Sequence, residues 1–293
     1  MIYSVSHVTQ IRYDALVSHA RYNLRLKPAD WPGQRLIDYH LAIDPAPARI
    51  ETEYGPYVVN VTRMVISEPV VELRIESRFR VEIGTVWPRL ATEPTIAELR
   101  RLAIEESDIS NVGPAPYLFA SRIAPMVDDI ARWAAPQLAD DRNALDAALE
   151  MACRIRGEFD YDPEATEADT PVSTAFKRRH GVCQDFAHVM IVALRSAGLP
   201  AAYVSGYLRT IAPPGKEKLV GADATHAWVA LWCGRDLGWR GFDPTNGCIA
   251  GEDHIFTAMG RDYADVTPID GTFMGNDGQE LEVAVDVIPE GTA

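Results

Sequence analysis

The chain has 293 residues, of which 47% are hydrophobic and 24% are charged, and its formal net charge is −14. This balance is that of a folded protein with a large core, and it excludes wholesale disorder. An acidic chain repels phosphate backbones, so we expect no nucleic-acid partner.

We find no membrane or secretion signal in the sequence. No run of about 18 apolar residues predicts a transmembrane helix, and residues 1–7 lack the basic patch and apolar stretch of a signal peptide. We therefore expect a cytoplasmic protein without a membrane partner. The four cysteines contain no C-x-x-C pair, and in such a protein they are expected to be free thiols.

Residues 1–86 alternate apolar and polar side chains, which is the pattern of strands with one buried face. The clearest alternation lies in 71–83. Similar runs are found at 3–13, 20–26 and 37–43, and 57–66 is rich in β-branched residues. Glycine and proline separate these runs, so this part is predicted to be an antiparallel β-sandwich domain.

Helical spacing replaces the alternation after residue 86. Thr95 and Glu98 stand at the spacing of a capping box, and apolar residues within 123–133 recur at helical intervals. We interpret 87–142 as a helical linker region. Asn143 is a suitable N-cap for the helix predicted after it.

The last part, 143–293, combines helices with strands. A helix is predicted over 183–197, where Gly198 and Pro200 form a stop signal. Strand-like runs follow it at 201–210, 227–233, 238–242 and 281–288. The polar stretch 211–224 predicts a mobile loop. Helices followed by an antiparallel sheet predict an α+β fold.

Cys183 is placed in the first turn of the predicted helix, two residues after Gly181. The unpaired N–H groups and positive partial charge of a helix N-terminus favour a thiolate there. The same N–H groups could stabilise an oxyanion on a carbon attacked by the sulfur. For any single cysteine, packing as a small buried apolar residue is the common alternative.

His226 lies at the entry to a predicted strand, 43 residues after Cys183, and Asp243 ends the next predicted strand 17 residues later. That distance suits two antiparallel neighbours with a turn near 234–237, so the two side chains are predicted to lie side by side. A carboxylate fixes the tautomer of an adjacent imidazole, which can then activate a thiol. Singly, each residue also has a structural alternative, as a satisfied histidine or a turn-forming Asp-Pro.

In the order Cys, His, Asp, these residues resemble the transglutaminase-like superfamily, and in particular its bacterial members. The core motifs that carry the resemblance are Gly181-Val-Cys-Gln-Asp-Phe-Ala-His188, Ser205-Gly-Tyr207, His226-Ala-Trp228 and Gly241-Phe-Asp-Pro-Thr-Asn246. Leu24-Arg-Leu-Lys-Pro28 and Gly260-Arg-Asp-Tyr-Ala-Asp-Val266 resemble segments before and after the family's core. The resemblance covers nearly the whole chain.

The resemblance implies an N-terminal β-sandwich at 1–86 and, at 143–293, a papain-like transglutaminase core with helices packed on an antiparallel sheet. It implies Cys183 as the nucleophile, His226 as general base and acid, and Asp243 as the residue that orients the imidazole. Cys183 would attack an amide of a peptide or protein substrate and form a thioester. Water completes the reaction in a protease or amidase, which is the favoured function, whereas an amine completes it in a transglutaminase. We expect no cofactor and no bound metal, calcium included.

Further candidates for substrate or oxyanion contacts are Tyr161, Gln184 and Trp228. In eukaryotic transglutaminases a tryptophan upstream of the nucleophile assists the oxyanion, and by sequence order Tyr161 could take that place. Trp228 could instead simply pack in the sheet. Asp185 and His188 are misaligned with the nucleophile along the helix. A structural role is as plausible as a functional one for Asp185, and is favoured for His188.

Three other functions are compatible with these residues. Arylamine acetyltransferases use the same Cys, His, Asp order on acyl thioesters. A zinc site could draw on Cys183, His226 and Asp243, but zinc sites usually use short-spaced ligand pairs, which this sequence lacks. The chain could also be a catalytically weak binding or assembly module, although all three residues are present.

Overall fold

A computed structural model of the chain describes residues 1–84, 93–163, 166–167, 169–210, 224–275 and 278–291. The expected domain boundary at residues 86 and 87 and the expected loop, up to residue 223, lie outside the described residues. The described residues form three antiparallel sheets, one short parallel pair and six α-helices. The predicted α+β fold is confirmed.

Six strands form the N-terminal part of the fold. They are β1 (Ile2–Val17), β2 (Ala20–Leu24), β3 (Gln34–Asp44), β4 (Arg49–Tyr54), β5 (Asn60–Ile66) and β6 (Val70–Ile83). Buried and partly exposed residues alternate over the first ten positions of β1, because successive side chains of a strand point to opposite faces.

Helices and shorter strands make up the rest of the chain. The helices are α1 (Ile96–Glu105), α2 (Asp128–Ala134), α3 (Ala144–Glu158), α4 (Val172–Arg178), α5 (Cys183–Ser196) and α6 (Tyr263–Val266). The strands are β7 (Asp160–Tyr161), β8 (His180–Gly181), β9 (Ala201–Leu208), β10 (Ala224–Trp232), β11 (Trp239–Asp243), β12 (Cys248–Ile249), β13 (His254–Gly260), β14 (Ile269–Phe273) and β15 (Gln279–Pro289). No helix within the described ranges has the length and apolarity needed to cross a membrane.

The two C-terminal strands complete the N-terminal sheets. β15 runs antiparallel to β1 over most of its length, and β14 pairs with β2. The sheets have the orders β15-β1-β6-β3 and β14-β2-β5-β4, and both contribute to a core that includes Ile11, Leu24, Met64 and Leu73. The division made from the sequence groups β14 and β15 with 143–293, whereas their ladders join them to the first six strands. A strand's local pattern does not specify its partner.

A five-stranded antiparallel sheet of order β12-β11-β10-β9-β13 forms the centre of the second part. Helix α5 packs on β9 and β10 and is buried from Asp185 to Arg195, as expected of a helix that is apolar on most of its faces. It ends at the predicted stop, where Gly198 takes a φ of 75°. The N–H groups of Gly198 and Leu199 return to the last carbonyls of the helix.

Two helix starts predicted from capping residues are confirmed. The Glu98 N–H donates to the Thr95 hydroxyl, and the Thr95 N–H donates to the Glu98 carboxylate at 2.9 Å. The Asn143 side chain accepts hydrogen bonds from two N–H groups in the first turn of α3. Both caps are local in sequence, so they could be recognised without tertiary information.

Helix α2 is shorter than predicted, because it begins at Asp128 rather than near residue 123. Pro125 disfavours the helical conformation in Ala124, the residue before it. The Ala124 carbonyl instead accepts a hydrogen bond from the Ser121 N–H at 3.1 Å. The helical spacing of apolar residues therefore extends into a loop.

The segment that follows β2, up to the first residue of β3, contacts the core sheet. The Ala29 N–H donates to the Thr257 carbonyl at 2.9 Å. The Gln34 side chain donates to the Phe256 carbonyl at 2.8 Å and accepts from the Phe256 N–H at 2.9 Å. Trp31 stacks on the Phe256 ring, with centroids 4.2 Å apart. These contacts tie β13 to the N-terminal part.

Candidate active site

Cys183 is the first residue of α5 and is partly exposed. The preceding residue, Val182, is extended, and its N–H donates to Asp185 Oδ2 at 2.9 Å. The Thr166 hydroxyl donates to the same oxygen at 2.6 Å. Asp185 therefore caps the helix, and the positive end of the helix dipole lies at the sulfur. An anion at such a position is stabilised.

Gly181 provides the space that this cap requires. A Cβ at Gly181 would lie 2.6 Å from Asp185 Oδ2 and 2.9 Å from the Asp185 Cβ. We expect Gly181→Ala to displace the cap, to lower the free energy of unfolding by about 1–3 kcal/mol, and to slow alkylation of Cys183. Thermal unfolding and iodoacetamide labelling measure the two effects.

Gly157→Ala is the matched control for this prediction. Gly157 lies in α3, and a Cβ added there meets nothing within 4 Å. This substitution should stabilise the protein by up to about 1 kcal/mol, because alanine is the better helix former. Similar unfolding temperatures for the two variants would contradict the role assigned to Gly181.

Strands β10 and β11 place His226 and Asp243 side by side, as their spacing predicts. His226 Nε2 lies 2.8 Å from Asp243 Oδ2, and the exposed fractions of the two side chains are 9% and 0%. Cys183 interacts with the same imidazole and contributes to raising its pKa. Because Asp243 engages Nε2, Nδ1 is the ring nitrogen left for the thiol. The structure thus brings together the three residues singled out in the sequence.

Asp243 accepts hydrogen bonds on both carboxylate oxygens. Oδ1 accepts from the Thr245 and Asn246 N–H groups at 2.8 and 3.1 Å. Oδ2 accepts from the Asn246 amide at 2.6 Å, in addition to its contact with His226. Burial would raise the pKa of the carboxyl, but hydrogen bonds from His226 and His254 outweigh it and hold the pKa far below its usual range.

The pKa of the His226 imidazole is shifted in the opposite direction from that of Asp243. Burial by itself would lower the pKa of His226. The hydrogen bonds to Asp243 and Cys183 outweigh burial, so the pKa of the imidazole is raised above its ordinary value. The buried carboxylate therefore favours an imidazolium next to the thiol, which is the charge state that stabilises a thiolate.

We expect the His226–Asp243 pair to stabilise the fold most between about pH 4 and pH 6.5. The lowered carboxyl pKa adds stability above the unfolded value of about 3.9, which is lost as the pH falls. The raised imidazole pKa adds stability that is full below the unfolded value of about 6.5 and is lost as the pH rises further. In chemical unfolding, the stability difference between wild type and His226→Gln should shrink from about pH 5.5 to about pH 9.

His7→Gln is the control with the opposite sign. His7 is buried in the N-terminal part, and burial lowers the pKa of its imidazole to about 4. The contribution of His7 is therefore present above about pH 6.5 and is lost as the pH falls. A His226→Gln difference that grows with pH, as expected for His7→Gln, would contradict the ion pair.

A second imidazole, which no sequence pattern predicts, contacts Asp243. His254 Nε2 lies 3.1 Å from Asp243 Oδ2, and the His254 side chain is 8% exposed. His254 begins β13, which was not among the predicted strands. Because β13 is buried on both faces, it lacks the alternation that would have revealed it, and no motif or spacing marks its first residue.

His226, Asp243 and His254 offer ligand atoms within 4.8 Å of one another and could by distance hold a metal ion. The Gly251 N–H, however, donates to His254 Nδ1 at 3.1 Å, which leaves the ring proton on Nε2. A protonated ring nitrogen has no lone pair for a cation, and histidines that bind metals normally donate from their other nitrogen. The donor set fits a hydrogen-bonded trio better than a metal centre.

Tyr161 lies beside the start of α5. Strand β7 pairs in parallel with β8, which sets Tyr161 opposite Gly181, and the tyrosine is 55% exposed. Burial and the nearby charge of Cys183 raise the pKa of its hydroxyl. A neutral hydroxyl at this position can donate a hydrogen bond to an oxyanion, which is the role predicted for Tyr161.

Trp228 and Gln184 differ in their exposure to solvent. Trp228 is 4% exposed, and its ring centroid lies 6.2 Å from that of His226 and 5.3 Å from that of His254. It therefore shields both imidazoles from water. Gln184 is a partly exposed residue in the first turn of α5.

The contacts of His188 and of the three cysteines other than Cys183 are those of structural residues. His188 is 2% exposed, and its Nε2 accepts a hydrogen bond from the Tyr263 N–H at 3.2 Å. Burial raises the pKa of the Cys248 thiol to about 11 and that of the buried Cys233 further. Cys153 is exposed and donates to the Gly247 carbonyl at 3.2 Å.

Known proteins resemble this chain over both of its parts. The model of the transglutaminase-like superfamily matches residues 131–244, and that of the bacterial transglutaminase-like N-terminal region matches residues 3–82. An uncharacterized protein of Mycobacterium tuberculosis is 35% identical over 302 residues, covering 99% of this chain and 94% of that protein. The chain belongs to the transglutaminase-like superfamily. The family predicted from the motifs is therefore confirmed.

Two further relatives of this transglutaminase-like chain are informative. A protein-glutamine gamma-glutamyltransferase of Pseudomonas aeruginosa is 40% identical over 88 residues, which is 30% of this chain and 13% of that protein. The crystal structure of a candidate cysteine protease from Cytophaga hutchinsonii matches with a TM-score of 0.76 at 20% identity, covering 100% of this chain and 92% of that one. At 20% identity, the similarity to the Cytophaga hutchinsonii structure concerns the fold alone. That fold is an N-terminal β-sandwich followed by a transglutaminase-like core.

Proposed function

We propose that this transglutaminase-like chain is a cysteine-dependent protease or amidase that transfers the acyl group of a peptide or amide to water through a thioester at Cys183. The observation that carries the proposal is the 2.8 Å hydrogen bond between His226 and the buried carboxylate of Asp243, on an imidazole whose pKa Cys183 also raises. These are the groups that nucleophilic catalysis by a thiol requires, and each has the partner it needs.

In the first half-reaction, the Cys183 thiolate attacks the carbonyl carbon of the amide and a C–S bond forms. The carbonyl electron pair moves to oxygen. The resulting anion lies near the first-turn N–H groups of α5, and we assign Tyr161 as a further donor to it. When the tetrahedral intermediate collapses, the C–N bond breaks and the His226 imidazolium donates its proton to the leaving amine. A thioester and a neutral imidazole remain.

In the second half-reaction, a water molecule attacks the thioester carbonyl. The neutral imidazole of His226 accepts a proton from that water as the C–O bond forms. Collapse of this second intermediate breaks the C–S bond, releases the carboxylic acid and restores the thiolate–imidazolium pair. Asp243 holds the imidazole in one tautomer throughout and stabilises its charged form without taking up a proton.

An amine acceptor in place of water is the second candidate, which would make the chain a protein-glutamine transglutaminase. The 40% identity with the gamma-glutamyltransferase of P. aeruginosa over 88 residues favours it. The two candidates share the thioester and differ only in what attacks it, so exclusion of water and access of the amine decide between them.

Incubation with a glutamine-containing protein and a labelled primary amine tests the proposal. New peptide termini or released ammonia without label incorporation support hydrolysis, whereas incorporation into the protein supports the transferase. If neither product exceeds the level of Cys183→Ala, and no acyl adduct of Cys183 is detected by intact-mass spectrometry, acyl transfer is contradicted. The chain would then be better described as a binding or assembly module.

A parallel assay with an acyl thioester and an arylamine addresses the acetyltransferase alternative. Arylamine acylation faster than amide cleavage would overturn the proposed substrate class, while leaving the nucleophile in place. Cys153→Ala serves as the control in all of these assays, because Cys153 is exposed but bonds to the Gly247 carbonyl rather than to an imidazole. Its activity should equal that of the wild type.

A further inference from the structure

Asp243 is held by two imidazoles rather than one. His254 Nε2 lies 3.1 Å from Asp243 Oδ2, the same oxygen that lies 2.8 Å from His226 Nε2. The His254 side chain is 8% exposed, and Asp243 is fully buried. No step of the proposed mechanism uses His254, so its place at the carboxylate needs a separate account.

The ring of His254 is fixed in one tautomer and one orientation. Its Nδ1 accepts a hydrogen bond from the Gly251 N–H at 3.1 Å, so Nε2 carries the proton and donates it to Asp243. The backbone N–H of His254 in turn donates to the Gly251 carbonyl at 3.0 Å. The ring also packs edge-on against Trp228, with centroids 5.3 Å apart. Each of these contacts restrains the direction of the Nε2–H bond.

The strand that begins at His254 is anchored from the N-terminal part of the chain. Two residues further along β13, Phe256 exchanges two backbone hydrogen bonds with the Gln34 side chain. Trp31 stacks on the Phe256 ring nearly in parallel, at an interplanar angle of 8°. The position of His254 is therefore set by contacts with the β-sandwich as well as by its own turn.

From this geometry we infer that His254 is a positioning residue, which holds the Asp243 carboxylate in the orientation that aligns His226 with Cys183. The inference rests on the proposed function for its catalytic consequence, but the alignment itself is a property of the resting protein. It also assigns a role to the N-terminal part, which supports the candidate active site through Gln34, Phe256 and β13. Residues that orient a reacting or ligating group through a hydrogen bond commonly change its activity by about 10- to 100-fold.

The test compares His254→Ala and His254→Gln with the wild type. The reagent is iodoacetamide, and alkylation of Cys183 is followed by mass spectrometry between about pH 5 and pH 9. His254→Ala should slow alkylation at neutral pH about tenfold, because loss of a hydrogen bond to a charged group costs about that factor. It should also move the midpoint of the rate profile to higher pH, because a less well aligned imidazolium stabilises the thiolate less. His254→Gln keeps an amide N–H that can reach the carboxylate and should restore both values to within about threefold.

His7→Gln is the matched control, since it also replaces a buried histidine that makes two hydrogen bonds, to Tyr207 and Thr9. It should lower the melting temperature without moving the alkylation profile. Gln34→Ala should move the profile in the same direction as His254→Ala, by a smaller amount. These comparisons separate positioning from general loss of stability.

A His254→Ala profile that coincides with the wild-type profile would overturn the inference, and so would a shift equal to that of His7→Gln. Amide hydrolysis measured on the same preparations distinguishes failure of the positioning role from failure of the proposed function. An active wild type with an unmoved His254→Ala profile refutes the positioning role alone. A wild type that forms no thioester, with a profile that still moves in His254→Ala, refutes the proposed function alone.

Discussion

Replacement of Asp243 by Asn is expected to slow acyl transfer by about 10³- to 10⁴-fold, because the imidazole loses the negative charge that fixes its tautomer and stabilises its protonated form. The surroundings of Asp243 make the substitution severe. In each hydrogen bond described for Oδ1 and Oδ2, the neighbouring group is the donor. These donors belong to Thr245, Asn246, His226 and His254. An amide group in this place turns a donor toward donors whichever way it is oriented.

Single-turnover cleavage of a labelled peptide amide, below the melting temperature of the variant, measures the effect of Asp243→Asn. Asp160→Asn is the control, because it removes the same charge from β7, next to Tyr161 and near Cys183, where the Asp160 side chain is 84% exposed. Its rate should stay within about twofold of the wild type, as exposed charges contribute little. An Asp243→Asn rate within tenfold of the wild type would show that the carboxylate does not serve the imidazole.

Cys183→Ala has the other large effect that we expect, a loss of at least about 10⁴-fold in rate, as for nucleophiles in comparable catalytic groups. The fold should be retained, since alanine keeps the start of α5 and the Asp185 cap does not use the sulfur. Intact-mass spectrometry of acid-quenched reactions should show an acyl adduct on the wild type and none on the variant.

Cys248→Ala completes the comparison for Cys183. Cys248 pairs with Asp243 in the β11–β12 ladder, so it is close to the site, but burial raises the pKa of its thiol to about 11 and leaves it largely protonated at neutral pH. The adduct should persist in Cys248→Ala. If the adduct survives in Cys183→Ala and disappears in Cys248→Ala, the nucleophile has been misassigned.

Most elements of the fold could be predicted from local patterns, because alternation and capping depend on neighbours along the chain. Strands β1 and β6 alternate, and Thr95 and Asn143 are capping residues. Six strands, β4, β7, β8, β12, β13 and β14, were not predicted, and two of the longer ones were missed for opposite reasons. Strand β4 is exposed on both faces and β13 is buried on both, so neither has a polar and an apolar face. The helix predicted from apolar spacing before Asp128 is absent there, because Pro125 restricts the backbone without changing the apolar pattern.

Those parts of the candidate active site that lie in contiguous sequence motifs could be predicted. The contact between His226 and Asp243 follows from the length of one antiparallel hairpin, and the position of Cys183 from a helix start. Asn246 stands within one of the quoted motifs, but its hydrogen bond to the carboxylate requires the turn geometry after β11. His254 was not predictable, because its contact depends on where the chain goes after β12.

The pairing of β1 with β15 joins residues at opposite ends of the described chain, from Tyr3 with Pro289 to Tyr13 with Gln279. During synthesis on a ribosome, β1 is made long before β15, so one of its edges stays uncovered until β15 has been made. An open strand edge is a template for pairing with other chains, and long-range strand pairing is slow. The sheet that contains β1 is therefore completed only after the residues between β1 and β15 have been made.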